Sequence, residues 1–150
     1  MTGIQVERVG HVVLKVRNLA RSVPFYTDVL GLREVGRYGQ DMVFFSADGS
    51  NHHDLAVQEI GAQARAADAG AVGLVHVALK IGDSLDALRA AKAHLEAAGV
   101  SIIRMENHVV ANSIYFADPD GNEFEVYVDG DPATWRADPS AVASVRPLEL

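Results

Sequence analysis

Apolar and polar positions alternate along this chain in short runs that twice give way to a longer, helical spacing, each time in the same order. Val9 to Val16 has the length and β-branched content of a strand, although His11 and Lys15 interrupt it. Ser22 suits a helix cap and Pro24 a first helical turn. Phe25, Val29 and Leu30 then mark an apolar face, and Gly31 a stop. Leu32 to Tyr38, Met42 to Ala47 and Asp54 to Glu59 read as three more strands, so residues 7–60 predict one βαβββ module. Residues 61–73, rich in Ala and Gly with little alternation, read as a linker. The order then recurs over residues 74–128. Leu74 to Ile81 is a strand, and Ser84 opens a helix with Leu85, Leu88, Ala91 and Leu95 on one face until Gly99 ends it. Ile102 to Glu106, Ser113 to Ala117 and Glu123 to Val128 supply three strands, the last two joined by Asp118-Pro119-Asp120-Gly121, which has type I turn chemistry. Over residues 129–150, Pro132, Pro139 and Pro147 discourage regular structure and predict a tail.

The recurrence extends to individual residues. Gly10-His11-Val12-Val13-Leu14-Lys15-Val16 matches Val75-His76-Val77-Ala78-Leu79-Lys80-Ile81, 65 residues further on. The expected fold class is α+β: a single domain over 1–150 built from two βαβββ modules about a pseudo-twofold axis. Its strand-start histidines would be neighbours in the concave cleft of the sheets. Side chains alternate across a strand, so His11 shares a face with Val13 and Lys15, His76 with Ala78 and Lys80, and Glu125 with Glu123 and Tyr127. The opposite faces, Val12-Leu14-Val16, Val77-Leu79-Ile81 and Phe124-Val126-Val128, are apolar and suit packing against helices.

Composition narrows the chemistry. The chain has no cysteine and six histidines, so any metal is held by nitrogen and oxygen. A formal net charge of −7 without a run of Lys and Arg argues against a nucleic-acid surface. No apolar stretch approaches the roughly 20 residues of a membrane span, and the first residues lack the form of a signal peptide, which predicts a soluble, cytoplasmic protein. A buried imidazole or carboxylate is costly without a partner. Two histidines and one carboxylate, His11, His76 and Glu125, make the facial set that suits Fe(II) and also accepts Mn, Ni, Co or Zn. His94, on the polar side of its helix, reads as solvated.

Two stretches carry a family resemblance: Phe25-Tyr26-Thr27-Asp28-Val29-Leu30-Gly31-Leu32, and Tyr115-Phe116-Ala117-Asp118-Pro119-Asp120-Gly121-Asn122-Glu123-Phe124-Glu125. Over nearly all of residues 7–128 the sequence resembles the vicinal-oxygen-chelate superfamily of glyoxalase I, fosfomycin- and bleomycin-resistance proteins and type I extradiol dioxygenases. Positions 11, 76 and 125 match the metal-binding His, His and Glu of the extradiol enzymes. The pair His53-Asp54 is similar to those enzymes' His-Asp pair, which implies an acid/base role for His53. Tyr115 matches a tyrosine that hydrogen-bonds to substrate oxygen, and His108 resembles a further histidine around the metal, though it stands closer to the tyrosine than in the larger enzymes. Many extradiol enzymes carry four modules and this chain has two. The resemblance implies ring cleavage of a catechol-like aromatic with O2 on Fe(II), in a homodimer. Two alternatives stay open: a glyoxalase-type lyase or isomerase, normally with a fourth ligand from Glu or Gln, and a non-catalytic antibiotic-binding resistance protein. Trp135 is left without an assigned role.

Overall fold

A computed structural model describes residues 3–68 and 70–150. The chain divides into two compact units, Met1–Arg65 and Ala66–Leu150. In the first, β1 (Val12–Val16), α1 (Leu19–Pro24), β2 (Arg33–Tyr38), β3 (Met42–Ser46) and β4 (Leu55–Glu59) form a sheet of order β1-β4-β3-β2. β1 pairs in parallel with β4, and the other pairs are antiparallel. Leu14 and Val16 turn inward and are buried with Val43, Phe45, Leu55 and Val57, while Tyr26 stacks on Phe45 with ring centroids 5.3 Å apart. Pairing starts at Val12↔Leu55, so the strand opens three residues later than its apolar run.

The first helix differs from its sequence signature. Asn18, rather than Ser22, caps it, its side chain accepting from the Arg21 N–H at 3.1 Å, and Ser22 is buried inside the helix. Pro24 closes the helix instead of opening it. A proline lacks the N–H that would continue the ladder and crowds the carbonyl four residues back. The next turn, Phe25–Val29, accordingly widens to π geometry, with the Leu30 N–H donating to the Phe25 carbonyl at 3.0 Å.

The second unit repeats the topology with β5 (Val77–Gly82), α2 (Leu85–Ala97), β6 (Ile102–Asn107), β7 (Ala111–Ala117) and β8 (Glu123–Asp129). Its sheet order is β5-β8-β7-β6-β9, where β9 is Arg146–Pro147. Ser84 caps α2, Leu88 and Leu95 are its buried face, and Gly99 ends it at φ 72°. In the β7–β8 turn one Asp118 carboxylate oxygen accepts the Asp120 and Asn122 N–H groups, each at 2.8 Å, which fixes the hairpin register. Ile81, expected in the apolar face of β5, is instead exposed, because the register shifts between Lys80 and Gly82 and the strand kinks there. The expected tail also holds regular structure: α3 (Pro132–Ala137), a 3₁₀ turn over Pro139–Ala143, and β9 on the edge of β6. Pro132 and Pro139 occupy first helical positions behind the capping aspartates Asp131 and Asp138, where a missing N–H costs nothing. Among the described residues, no helix is long and apolar enough to cross a membrane.

Candidate functional site

The register of the β7–β8 hairpin builds the centre of the second unit. It sets Tyr115 directly opposite Glu125 and Ser113 opposite Tyr127, so these four side chains share one face. β5 runs alongside with Ala78 paired to Glu125, and His76, just ahead of β5, brings its Nε2 to 3.1 Å from Glu125 Oε2. Glu125 is buried, and its other oxygen accepts a short 2.5 Å hydrogen bond from the Ser113 hydroxyl. The Nδ1 of His76 is buried and has no partner.

Tyr115 is the hub of the polar groups around this pair. Its hydroxyl lies 2.9 Å from His108 Nε2, its ring meets that of His76 edge-on at 5.5 Å, and the Arg104 guanidinium lies 3.7 Å from its ring centroid. Burial, reinforced by the negative charge of Glu125 and a hydrogen bond to it, pushes the phenol up to about 12. Arg104 is steadied by Glu123 at 2.7 Å, and its own pKa is raised by that hydrogen bond. His108 is presented by a strained hairpin: Val109 adopts φ 68°, an unfavourable conformation for a β-branched residue, held by Asn107 Oδ1 accepting from its N–H at 2.7 Å. The Gly130 N–H donates to the Val110 carbonyl at 2.7 Å, and a Cβ on Gly130 would meet the Val109 carbonyl at 2.5 Å, so this hairpin rests against backbone that only glycine allows. His76, His108, Tyr115 and Glu125 all line one cavity of about 350 Å³, walled otherwise by apolar side chains and Tyr127.

In the first unit, His11 clusters with the other two histidines of interest. The His11 and His53 rings are 4.2 Å apart, and His52 Nδ1 and His53 Nδ1 lie 2.5 Å apart. Burial, with the neighbouring imidazoles of His11 and His52, pushes His53 below the usual histidine range. The cluster is tied by Asn51, whose side-chain amide reaches the Gly10 carbonyl at 3.0 Å, the His53 carbonyl at 2.7 Å and Asp54 Oδ1 at 3.1 Å. Asp54 is structural: the Ala47 N–H, Asn51 and Ser46 occupy its oxygens, and the Ala47 hydrogen bond leads in holding it below the ordinary carboxylate range.

The structure thus unites His76, Glu125, Tyr115 and His108 in one unit and His11 with His53 in the other. Among the described residues, no three His, Asp or Glu side chains stand together at metal-binding spacing. The His76–Glu125 pair fits a bound ion on its own geometry. Two donors about 2.1 Å from a first-row metal and at right angles to each other lie about 3 Å apart, as Nε2 and Oε2 do.

Residues 8–126 match the family model of the Glyoxalase/Bleomycin resistance protein/Dioxygenase superfamily. The chain belongs to that superfamily. This superfamily member is 31% identical over 139 residues to a catechol-2,3-dioxygenase of Bacillus subtilis, a match covering 92% of the chain and 47% of the relative. It is 32% identical over 129 residues to a manganese-dependent 2,3-dihydroxybiphenyl 1,2-dioxygenase of Geobacillus genomosp. 3, covering 83% and 38%. The chain therefore spans only about half, or less, of the length of these relatives. The fold recurs in a glyoxalase/dioxygenase of Nostoc punctiforme, with a TM-score of 0.71 at 18% identity over 87% of this chain and 99% of that one. It recurs also in a lactoylglutathione lyase of Agrobacterium tumefaciens, with a TM-score of 0.63 at 24% identity over 82% and 94%.

Sequence reasoning missed three residues that the superfamily member uses to arrange its site: Ser113 on Glu125, Arg104 over Tyr115, and Asn51 between the two histidine-bearing segments. Counting outward from the Asp118–Gly121 turn pairs 115 with 125 and 113 with 127, and so would have found Ser113 on the Glu125 face. Arg104 and Asn51 carry no comparable pattern.

Proposed function

We propose that this protein is an extradiol dioxygenase that opens the ring of a catechol-like aromatic with O2, using Fe(II), or Mn(II) in its place, held by His11, His76 and Glu125. The observation that carries the reading is the His76–Glu125 pair, its facing atoms 3.1 Å apart, in the same cavity wall as the hydrogen-bonded Tyr115 and His108. The dioxygenase relatives support it. The engagement of Asp54 by Ala47, Asn51 and Ser46 disfavours the glyoxalase-type alternative, since it leaves no free carboxylate where a fourth ligand would come from.

A divalent ion there would supply the Lewis acidity that ionises a diol and the redox chemistry that engages O2. The chain's own groups do the rest. Tyr115, its pKa pushed up to about 12, keeps its proton at every working pH and donates a hydrogen bond to a substrate oxygen that gains charge. His108 orients that hydroxyl from 2.9 Å. His53, held below the usual histidine range, is neutral at pH 7 and accepts a phenolic proton; with its Nδ1 engaged by His52, Nε2 is the exchanging atom. The apolar side chains of the cavity wall give the aromatic ring a surface to pack on. The protein would act as a homodimer, which sedimentation equilibrium tests.

The deciding experiment is metal analysis of anaerobically purified protein, followed by oxygen-uptake assays with a panel of catechols after loading with Fe(II) or Mn(II). Stoichiometric oxygen consumption with ring-opened product is expected, and loaded protein that consumes none with any catechol would refute the reading.

A further inference from the structure

Successive side chains of β6 point to opposite faces of the sheet, so Arg104 and Glu106 share one face. The pairing of β6 with β7 sets Arg104 opposite Tyr115 and Glu106 opposite Ser113, which puts both charges beside the Tyr115–Glu125 face. Just past the strand end, His108 comes back to Glu106, its Nε2 lying 3.4 Å from Glu106 Oε2. The other Glu106 oxygen lies 3.4 Å from Arg104 Nε, while Arg104 Nη2 reaches Glu123 at 2.7 Å. The His108 and Glu106 side chains are only 19% and 25% exposed, so solvent and salt screen their contact weakly.

A single proton decides the direction of the hydrogen bonds here. The Tyr115 hydroxyl is hydrogen-bonded to Glu125, and a carboxylate only accepts, so the phenol donates on that side. Its 2.9 Å contact with His108 must then run the other way, from an Nε2–H of the imidazole to the phenol oxygen. A neutral imidazole carries its proton on one nitrogen only, and a negative charge beside a nitrogen favours the proton there. Glu106 supplies that charge. At 3.4 Å it acts through the field rather than through a hydrogen bond of its own, which the closer Tyr115 oxygen takes.

We propose that Glu106 is a positioning residue: its carboxylate holds His108 as the Nε2–H tautomer, so that the Tyr115 proton points away from the imidazole. Arg104 keeps that carboxylate in place. The tautomer stands on the proton count alone, whereas its effect on turnover rests on the ring-cleavage reading, so the two are separable.

Metal-free protein carrying isotope-labelled histidine is read by ring-nitrogen NMR shifts at about pH 8, above the usual histidine pKa of about 6.5. His108, identified by the resonances lost in His108→Asn, should show a protonated Nε2 and a bare Nδ1. In Glu106→Ala, and less fully in the isosteric Glu106→Gln, the proton should spread over both nitrogens. A bare Nε2 in the parent, or a tautomer that neither substitution moves, overturns the proposal. In metal-loaded protein, Glu106→Ala should lower kcat with a catechol about tenfold at nearly constant KM, part of the roughly 100-fold that one donor to a charged oxygen is worth. In a Tyr115→Phe background the same substitution should cost less than about twofold, because the group it acts through is gone. A full tenfold loss in that background overturns the proposal. A tautomer that shifts in protein turning over no catechol upholds the positioning and removes the reaction, while turnover with an unmoved tautomer does the reverse.

Discussion

On the proposed reading Glu125 is the carboxylate that holds the metal, and its geometry depends on a hydroxyl. Ser113 fixes one carboxylate oxygen and leaves the other facing His76. Removing that hydrogen bond in Ser113→Ala should weaken metal binding by about 10- to 100-fold, the usual effect of losing a partner that orients a ligand, with little change in fold. Metal titration followed by calorimetry checks this, and an unchanged affinity would mean that Ser113 does not orient the ligand. Tyr115 offers a different test. Its pKa is raised in the folded state, so its contribution to stability is whole below about pH 10 and is lost as pH climbs through about 12, amounting to about 3 kcal/mol at about 1.4 kcal/mol per unit. Spectrophotometric titration of the metal-free protein should find a tyrosine step near 12, later than that of an exposed phenol, and Tyr115→Phe should shrink that step by one group, the buried Tyr26 and the upward-shifted Tyr127 being left in place. The same substitution in loaded protein should lower kcat by about 100-fold, since one preorganised donor to a charged oxygen is worth that much. His76 could be picked out from the repeat and Glu125 from the turn register, because both are fixed by spacing along the chain, whereas Tyr115 came only with the family resemblance. Arg104, which covers a ring from a neighbouring strand, has no such spacing, and only the folded sheet brings it there.

At the scale of elements, the β6–β7 hairpin carries the most information. It holds Val109 in a conformation few such residues adopt, and it is braced by backbone at Gly130. Gly130→Ala would place a methyl 2.5 Å from the Val109 carbonyl, so backbone must move. A loss of about 1–3 kcal/mol in denaturant unfolding is expected, together with reduced activity through displacement of His108. Val109→Gly should recover about 1 kcal/mol of the stored strain, and a variant no more stable than the parent would show that the strain is not there. Most elements could be read from the chain, since alternation of two and a stop at glycine are local signals: Ser84 to Gly99 behaves as its sequence says. Prolines were the exception. Pro132 and Pro139 were read as breakers yet start short turns behind aspartate caps, and Pro24, read as opening a helix, closes one and passes it into a wider turn. What decides is the residue preceding the proline and the carbonyl four residues back, neither of which hydrophobic spacing records.

For the molecule as a whole, the repeat announced two modules, and the structure gives two compact units with one topology. On the proposed reading metal binds the folded state alone: at a hundredfold excess over its Kd it adds about 2.7 kcal/mol, seen as a rise in Tm. His11→Ala should abolish most of that rise if His11 is a ligand, and a full rise in the variant would exclude it. The strand pairing has a further consequence. In each unit the first strand lies in parallel beside the closing strand of its βαβββ module, β1 on β4 and β5 on β8, so neither opening strand has its partner until the rest of that module has been made. On the ribosome, each half of the protein must leave the exit tunnel with the strand that follows its histidine still unpaired. Its surroundings close only when the final hairpin arrives.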